Sequence, residues 1–92
     1  MGVTLNGTLR CADENEAARV RTALPEHVRL TRAETGCVSF SVAATDDPLV
    51  WQVAEEFTDP AAFEAHQTRA AASDWATTTK GIAREYTVQG MP

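Results

Sequence analysis

Two aspartate-led helix starts set the plan of this chain, because each cuts off a run in which apolar and polar residues alternate. Asp13 is followed by Glu16, the spacing at which the aspartate accepts from a free backbone N–H and the glutamate reaches back to the helix start. Asp59 is followed by Pro60, which suits the first helical position because its φ is already helical and its missing N–H is not needed there. Ahead of Asp13, Val3, Leu5, Gly7 and Leu9 alternate with Thr4, Asn6, Thr8 and Arg10, the period of a half-buried strand. Between the two helices, Val38, Phe40 and Val42 alternate with Ser39, Ser41 and Ala43. Leu49, Trp51, Val53, Glu55 and Phe57 then alternate with Val50, Gln52, Ala54 and Glu56. The turn formers Thr45-Asp46-Asp47-Pro48 join these two strands into a hairpin.

The first helix has an apolar stripe of Ala17, Val20 and Leu24. Pro25 is expected to interrupt it, with Val28 and Leu30 in a further short turn before Thr35-Gly36. The second helix carries Phe63, His66, Gln67 and Ala70 on one stripe. Ser73 opens a short helix through Trp75 and Thr79, ended by Lys80-Gly81, and residues 82–89 make a fourth strand with Tyr86 and Val88. The order strand, helix, strand, strand, helix, strand predicts an α+β chain of the ferredoxin-like kind, one domain over residues 1–92. Two right-handed crossovers give it a four-stranded antiparallel sheet with helices on one face. The other face would hold Thr4, Thr8, Ser39, Ser41, Val50, Ala54 and Thr87, small enough to pack on a second copy, so a homodimer is expected.

Charge narrows the partners. Eight Lys and Arg against thirteen Asp and Glu leave a formal net charge of -5, which repels phosphate backbones and anionic lipid. Nucleic acid and membrane surfaces are therefore not expected partners. No run approaches the roughly 18–20 apolar residues of a membrane span, and residues 1–10 lack the basic and apolar regions of a secretory signal, so a cytoplasmic location is expected. Cys11 and Cys37 form no Cys-x-x-Cys pair, and parallel first and second strands hold them on the order of 25 Å apart, so two free thiols are expected. No phosphate loop, dinucleotide fingerprint or nucleophile elbow occurs, and no tightly bound cofactor is expected.

Strict alternation turns Glu55 toward the helix-covered face, between Val53 and Phe57. Helical spacing turns His66 inward from the second helix, so the two meet. A carboxylate and an imidazole in a partly dry site make a base near neutral pH, with Glu55 orienting the ring. The same pair also reads as a self-satisfied link between helix and sheet. Phe40, Trp51, Phe57, Trp75 and Tyr86 are candidates to line a flat apolar cavity, or simply to fill the core. His66 is the one inward histidine, which leaves a metal site short of ligands. His27 falls in the turn Pro25-Glu26-His27 and is predicted to be solvated. Arg29, Arg32 and Arg69 read as surface charges, with Arg69 close enough to reach a pocket mouth.

The stretches Glu34-Thr35-Gly36-Cys37-Val38-Ser39-Phe40, Asp47-Pro48, Glu55-Glu56-Phe57-Thr58-Asp59 and Ala62-Phe63-Glu64-Ala65-His66 resemble the antibiotic biosynthesis monooxygenase family of dimeric α+β barrels. The resemblance covers nearly the whole chain and is clearest from Glu34 to Trp75; Phe57 stands where the family usually has Trp. Glu55 and His66 fall on the family's characteristic Glu and His. What the resemblance implies is a monooxygenase without metal or flavin that oxidises a small aromatic, phenolic or quinol substrate with molecular oxygen. His66 would be its base or hydrogen-bond partner, Glu55 would orient His66, and the five aromatic residues would bind substrate. Haem-degrading relatives use an Asn on the first strand, a Trp on the second helix and a His about ten residues later. Here Asn6 is present but faces away from the core, and His66 and Ala76 occupy the other two positions, which disfavours haem. The alternative function is a non-catalytic dimeric binding protein for an apolar aromatic ligand. In a third reading, the fold is a dimer scaffold with a closed core.

Overall fold

The computed structural model describes residues 2–92. Its elements are β1 (Val3–Arg10), α1 (Glu14–Arg32), β2 (Cys37–Ala44), β3 (Val50–Phe57), α2 (Pro60–Ala71), α3 (Asp74–Thr78) and β4 (Ala83–Gln89). Both helix starts are built as their residues dictate. Asp13 accepts from the Glu16 amide at 2.9 Å while Glu16 Oε1 accepts from the Ala12 amide at 2.7 Å. Asp59 accepts from the Ala62 amide at 2.8 Å, with Pro60 at the first helical position.

The four strands form one sheet in the order β2-β3-β1-β4, every neighbouring pair antiparallel, which is the ferredoxin-like topology. Register fixes what lies beside Glu55: it pairs with Leu5 on β1 and with Phe40 on β2, so these three side chains share the helix-covered face. A bulge in β2 between Cys37 and Ser39 breaks the simple alternation and leaves Val38 56% exposed, although it was expected to share the face of Phe40. Cys11 and Cys37 are free thiols near opposite ends of β3. Cys37 pairs with Phe57, and the Cys11 amide bonds to the Leu49 carbonyl. Among the described residues, no helix is long and apolar enough to cross a membrane.

α1 departs from expectation. Pro25 does not interrupt it, and the helix runs unbroken from Glu14 to Arg32. Pro25 lies on the exposed side, so the hydrogen bond it forfeits is lost to water, not to the core. Against that loss stands a stripe continuing from Ala17, Val20 and Leu24 to His27 and Thr31, at successive steps of three or four residues. Ala17, Val20, His27 and Thr31 are all buried. His27 is accordingly not solvated: it is 5% exposed, carried inward because the helix passes through its proline.

Candidate active site

Three elements converge beneath α2. β3 presents Glu55, α2 presents His66 one helical turn after Phe63, and the loop between α1 and β2 presents Glu34. His66 is 3% exposed and its two nitrogens meet two carboxylates. Nδ1 lies 2.8 Å from Glu34 Oε1, a full hydrogen bond, while Nε2 lies 3.7 Å from Glu55 Oε1, beyond hydrogen-bond length. The group that orients the ring is therefore Glu34. Its second oxygen accepts from Arg69 Nε at 2.6 Å, and Arg69 Nη2 donates to Thr31 Oγ1 at 2.9 Å. Arg69 is thus a buttress of this cluster, half-buried against it. Arg29 is a surface charge, paired with exposed Glu26, whereas Arg32 folds back to donate to the Phe40 carbonyl. With Nδ1–H committed to Glu34, the imidazole turns a lone pair toward Glu55.

The Glu55 carboxyl lacks such support. Oε1 is buried with no hydrogen-bond partner, and burial, followed by the negative charge of Glu34, pushes its pKa up to about 7. Burial also holds His66 below its ordinary value, partly offset by Glu34, and pushes His27 down to about 4, aided by the positive charges of Arg69 and His66. At neutral pH both imidazoles are uncharged and Glu55 is the group that titrates.

Glu55 and His66 border a cavity of about 430 Å³ between sheet and helices. Phe40, Trp75 and Tyr86 stand on its walls with Val42, Val53 and His27. Trp51 and Phe57 do not. They lie on the same face of β3, but the strand is longer than the cavity, whose β3 contribution is confined to Val53 and Glu55. Trp51 is buried at the other end, opposite Leu9. Phe57, fully buried, backs His66 with ring centroids 4.8 Å apart and meets Phe63 edge-on at 5.7 Å. Asn6 is exposed, away from the cavity. No group of three or more His, Cys, Asp or Glu side chains among the described residues is arranged to hold a metal ion.

Residues 2–78 match the sequence pattern of antibiotic biosynthesis monooxygenases. The chain belongs to that family. The fold is shared with solved structures of low sequence identity. SnoaB, a cofactor-independent oxygenase from Streptomyces nogalater, superposes with a TM-score of 0.80 at 14% identity, covering 99% of this chain and 93% of its own. Rv0793 from Mycobacterium tuberculosis gives 0.76 at 17% identity, covering 100% and 96%. PA3566 from Pseudomonas aeruginosa gives 0.72 at 22%, covering 98% and 91%. No protein of curated function is significantly similar in sequence.

In this member of the family the buried titrating groups leave a mark on stability that can be read without substrate. Folding favours protonated Glu55, so its contribution is complete below the ordinary value of 4.5 and is lost as pH rises to about 7. Folding favours neutral His27, so its contribution is complete above 6.5 and is lost as pH falls to about 4. The two slopes oppose each other where they overlap. Relative to the native chain, Glu55→Gln is expected to make stability rise more steeply with pH between 4.5 and about 7, and His27→Phe less steeply between about 4 and 6.5. Each slope should change by at most about 1.4 kcal/mol per pH unit. Urea unfolding across pH 4 to 8 measures this; parallel curves for all three proteins would contradict it.

Proposed function

We propose that this chain is a cofactor-independent monooxygenase of a planar hydroxyaromatic substrate, with Glu55 taking the hydroxyl proton and His66 sharing it. The observation that carries this reading is the buried, unpartnered Glu55 oxygen on the wall of an aromatic-lined cavity, with its carboxyl poised near pH 7. A phenol or quinol deprotonated there is electron-rich enough to reduce oxygen itself. The anion gives one electron to O2, the radical pair joins as a carbon-bound peroxide, and the proton held by Glu55 returns to it. Loss of water then leaves a carbonyl: one hydrogen comes from the hydroxyl by way of Glu55 and one from the reacting carbon, one oxygen atom enters and the other departs with them as water. The chain's share is base, cavity and exclusion of solvent. Family membership and the description of SnoaB as a cofactor-independent oxygenase support the same chemistry.

Oxygen-electrode assays with phenols, naphthols and quinols test the reading, with 18O2 expected to place one labelled atom in the product. A panel that binds without oxygen uptake above the enzyme-free rate would overturn it and leave a binding protein. The substrate site is expected to work in a homodimer joined through the open sheet face, where Ser41, Ala54 and Thr87 are exposed and small. Sedimentation equilibrium should give twice the 9.9 kDa chain mass, and Ala54→Lys should return it to one. A monomeric native chain would contradict this.

A further inference from the structure

His27 is a buried titratable group that the base chemistry leaves unused. It sits on the buried stripe of α1, at a position where Leu or Phe would pack as well and carry no polar atom. Neither ring nitrogen has a protein partner among the described hydrogen bonds, and Nδ1 is sealed from solvent. An unpartnered buried nitrogen costs stability that an apolar side chain would not, so the histidine is poor packing material. Its ring is nevertheless held firmly. One face lies on Trp75 with centroids 4.5 Å apart and planes within 3°, and its edge meets Phe40 at 5.3 Å. This His27–Trp75 pair is a wall one ring thick, bordering the Glu55 cavity on one side and a second cavity of about 560 Å³ between α1 and residues 72–78 on the other. The ring centroid of His66 is 6.0 Å away, so His27 stands within one small ring's width of the imidazole that shares the substrate proton with Glu55.

A neutral imidazole carries one N–H and one lone pair. Sealing a bare lone pair costs less than sealing an unmet N–H, as the rarity of orphaned buried donors shows, so Nδ1 is the unprotonated nitrogen and Nε2 carries the proton. We infer that His27 is a ligand-binding residue, donating Nε2–H to an acceptor oxygen of a planar ligand whose hydroxyl lies on Glu55. The inference rests on the proposed use of this cavity and narrows the substrate class. The ligand carries two oxygens on its ring system, a hydroxyl to be ionised and a second oxygen that accepts, as in a quinol or a hydroxyaryl ketone. A monophenol of the same ring size satisfies Glu55 but leaves His27 unmet.

The test compares 1,4-dihydroxynaphthalene with 1-naphthol under nitrogen, where no turnover occurs. The native chain should bind the diol roughly tenfold more tightly, the equivalent of one hydrogen bond. His27→Phe, which keeps the stack, should equalise the two, and His27→Gln should recover part of the preference. On the native chain, the His27 ring nitrogen resonances should show the Nε2–H form and move with the diol but not with the naphthol, a readout that survives if His27→Phe fails to fold. An unchanged preference in His27→Phe, or ring resonances silent to the diol, would overturn the assignment. Native protein that binds neither compound would overturn it together with the proposed function. Preference for the diol without oxygen uptake in air would support His27 as a ligand contact and remove only the oxygenase reading.

Discussion

Glu55→Gln is expected to lower kcat for oxygen consumption by roughly 10²- to 10⁴-fold, the range associated with loss of a positioned general base. Glutamine has the shape of the glutamate it replaces, so the cavity, the Phe40 and Leu5 neighbours and the His66 contact should persist. What disappears is, among the described residues, the only buried carboxylate oxygen that faces the cavity without a partner. In the native chain kcat/KM should rise with pH through about 7, as Glu55 ionises, and then level. The residual activity of the variant should have no step there. The same change should make the protein more stable than the native chain at pH 8, because the amide carries no charge for the fold to desolvate. Loss of activity with gain of stability is the signature of a group kept for chemistry. A variant that keeps its turnover and its pH midpoint would move the base elsewhere, with His66 the next candidate.

How much of this arrangement could be read from the chain depends on which physical signal placed each residue. Glu55 and His66 were legible because period two and period 3.6 are unambiguous over β3 and α2, and α2 starts at an aspartate that caps as its spacing requires. His27 was hidden by a local rule that lost to a longer one. Proline forbids one helical hydrogen bond, but the spacing Ala17, Val20, Leu24, His27, Thr31 extends across it, and burial of that stripe outweighs a bond lost on the wet side. Reading the stripe past Pro25 would have found the histidine. Glu34 carries no periodic signal at all because it lies in a loop. Its only trace is the pair His66 and Arg69, three residues apart on one helix side, which together call for a carboxylate from elsewhere. Trp51 and Phe57 share a face with Glu55, but alternation says which side a residue takes and nothing about how far along the strand a cavity extends.

Phe57→Ala should be the most destabilising single substitution considered, by about 3–5 kcal/mol, because Phe57 is fully buried and the ring it loses leaves a void between sheet and α2. For a chain of this size that lowers Tm by on the order of 12–40 °C, a large part of a total stability of about 5–15 kcal/mol. The rings that would face the void are Phe63 and His66, whose centroids lie 5.7 and 4.8 Å from that of Phe57. Phe57→Leu fills most of the space and should cost less, so it separates folding from function. Phe57 does not line the cavity, and the leucine variant should therefore bind aromatic ligands with native affinity while kcat falls, since only the seat of His66 has changed. Differential scanning calorimetry and ligand titration measure the two halves. A leucine variant with native kcat and weakened ligand binding would show that Phe57 touches the ligand after all, and that the cavity opens along β3 when it is filled.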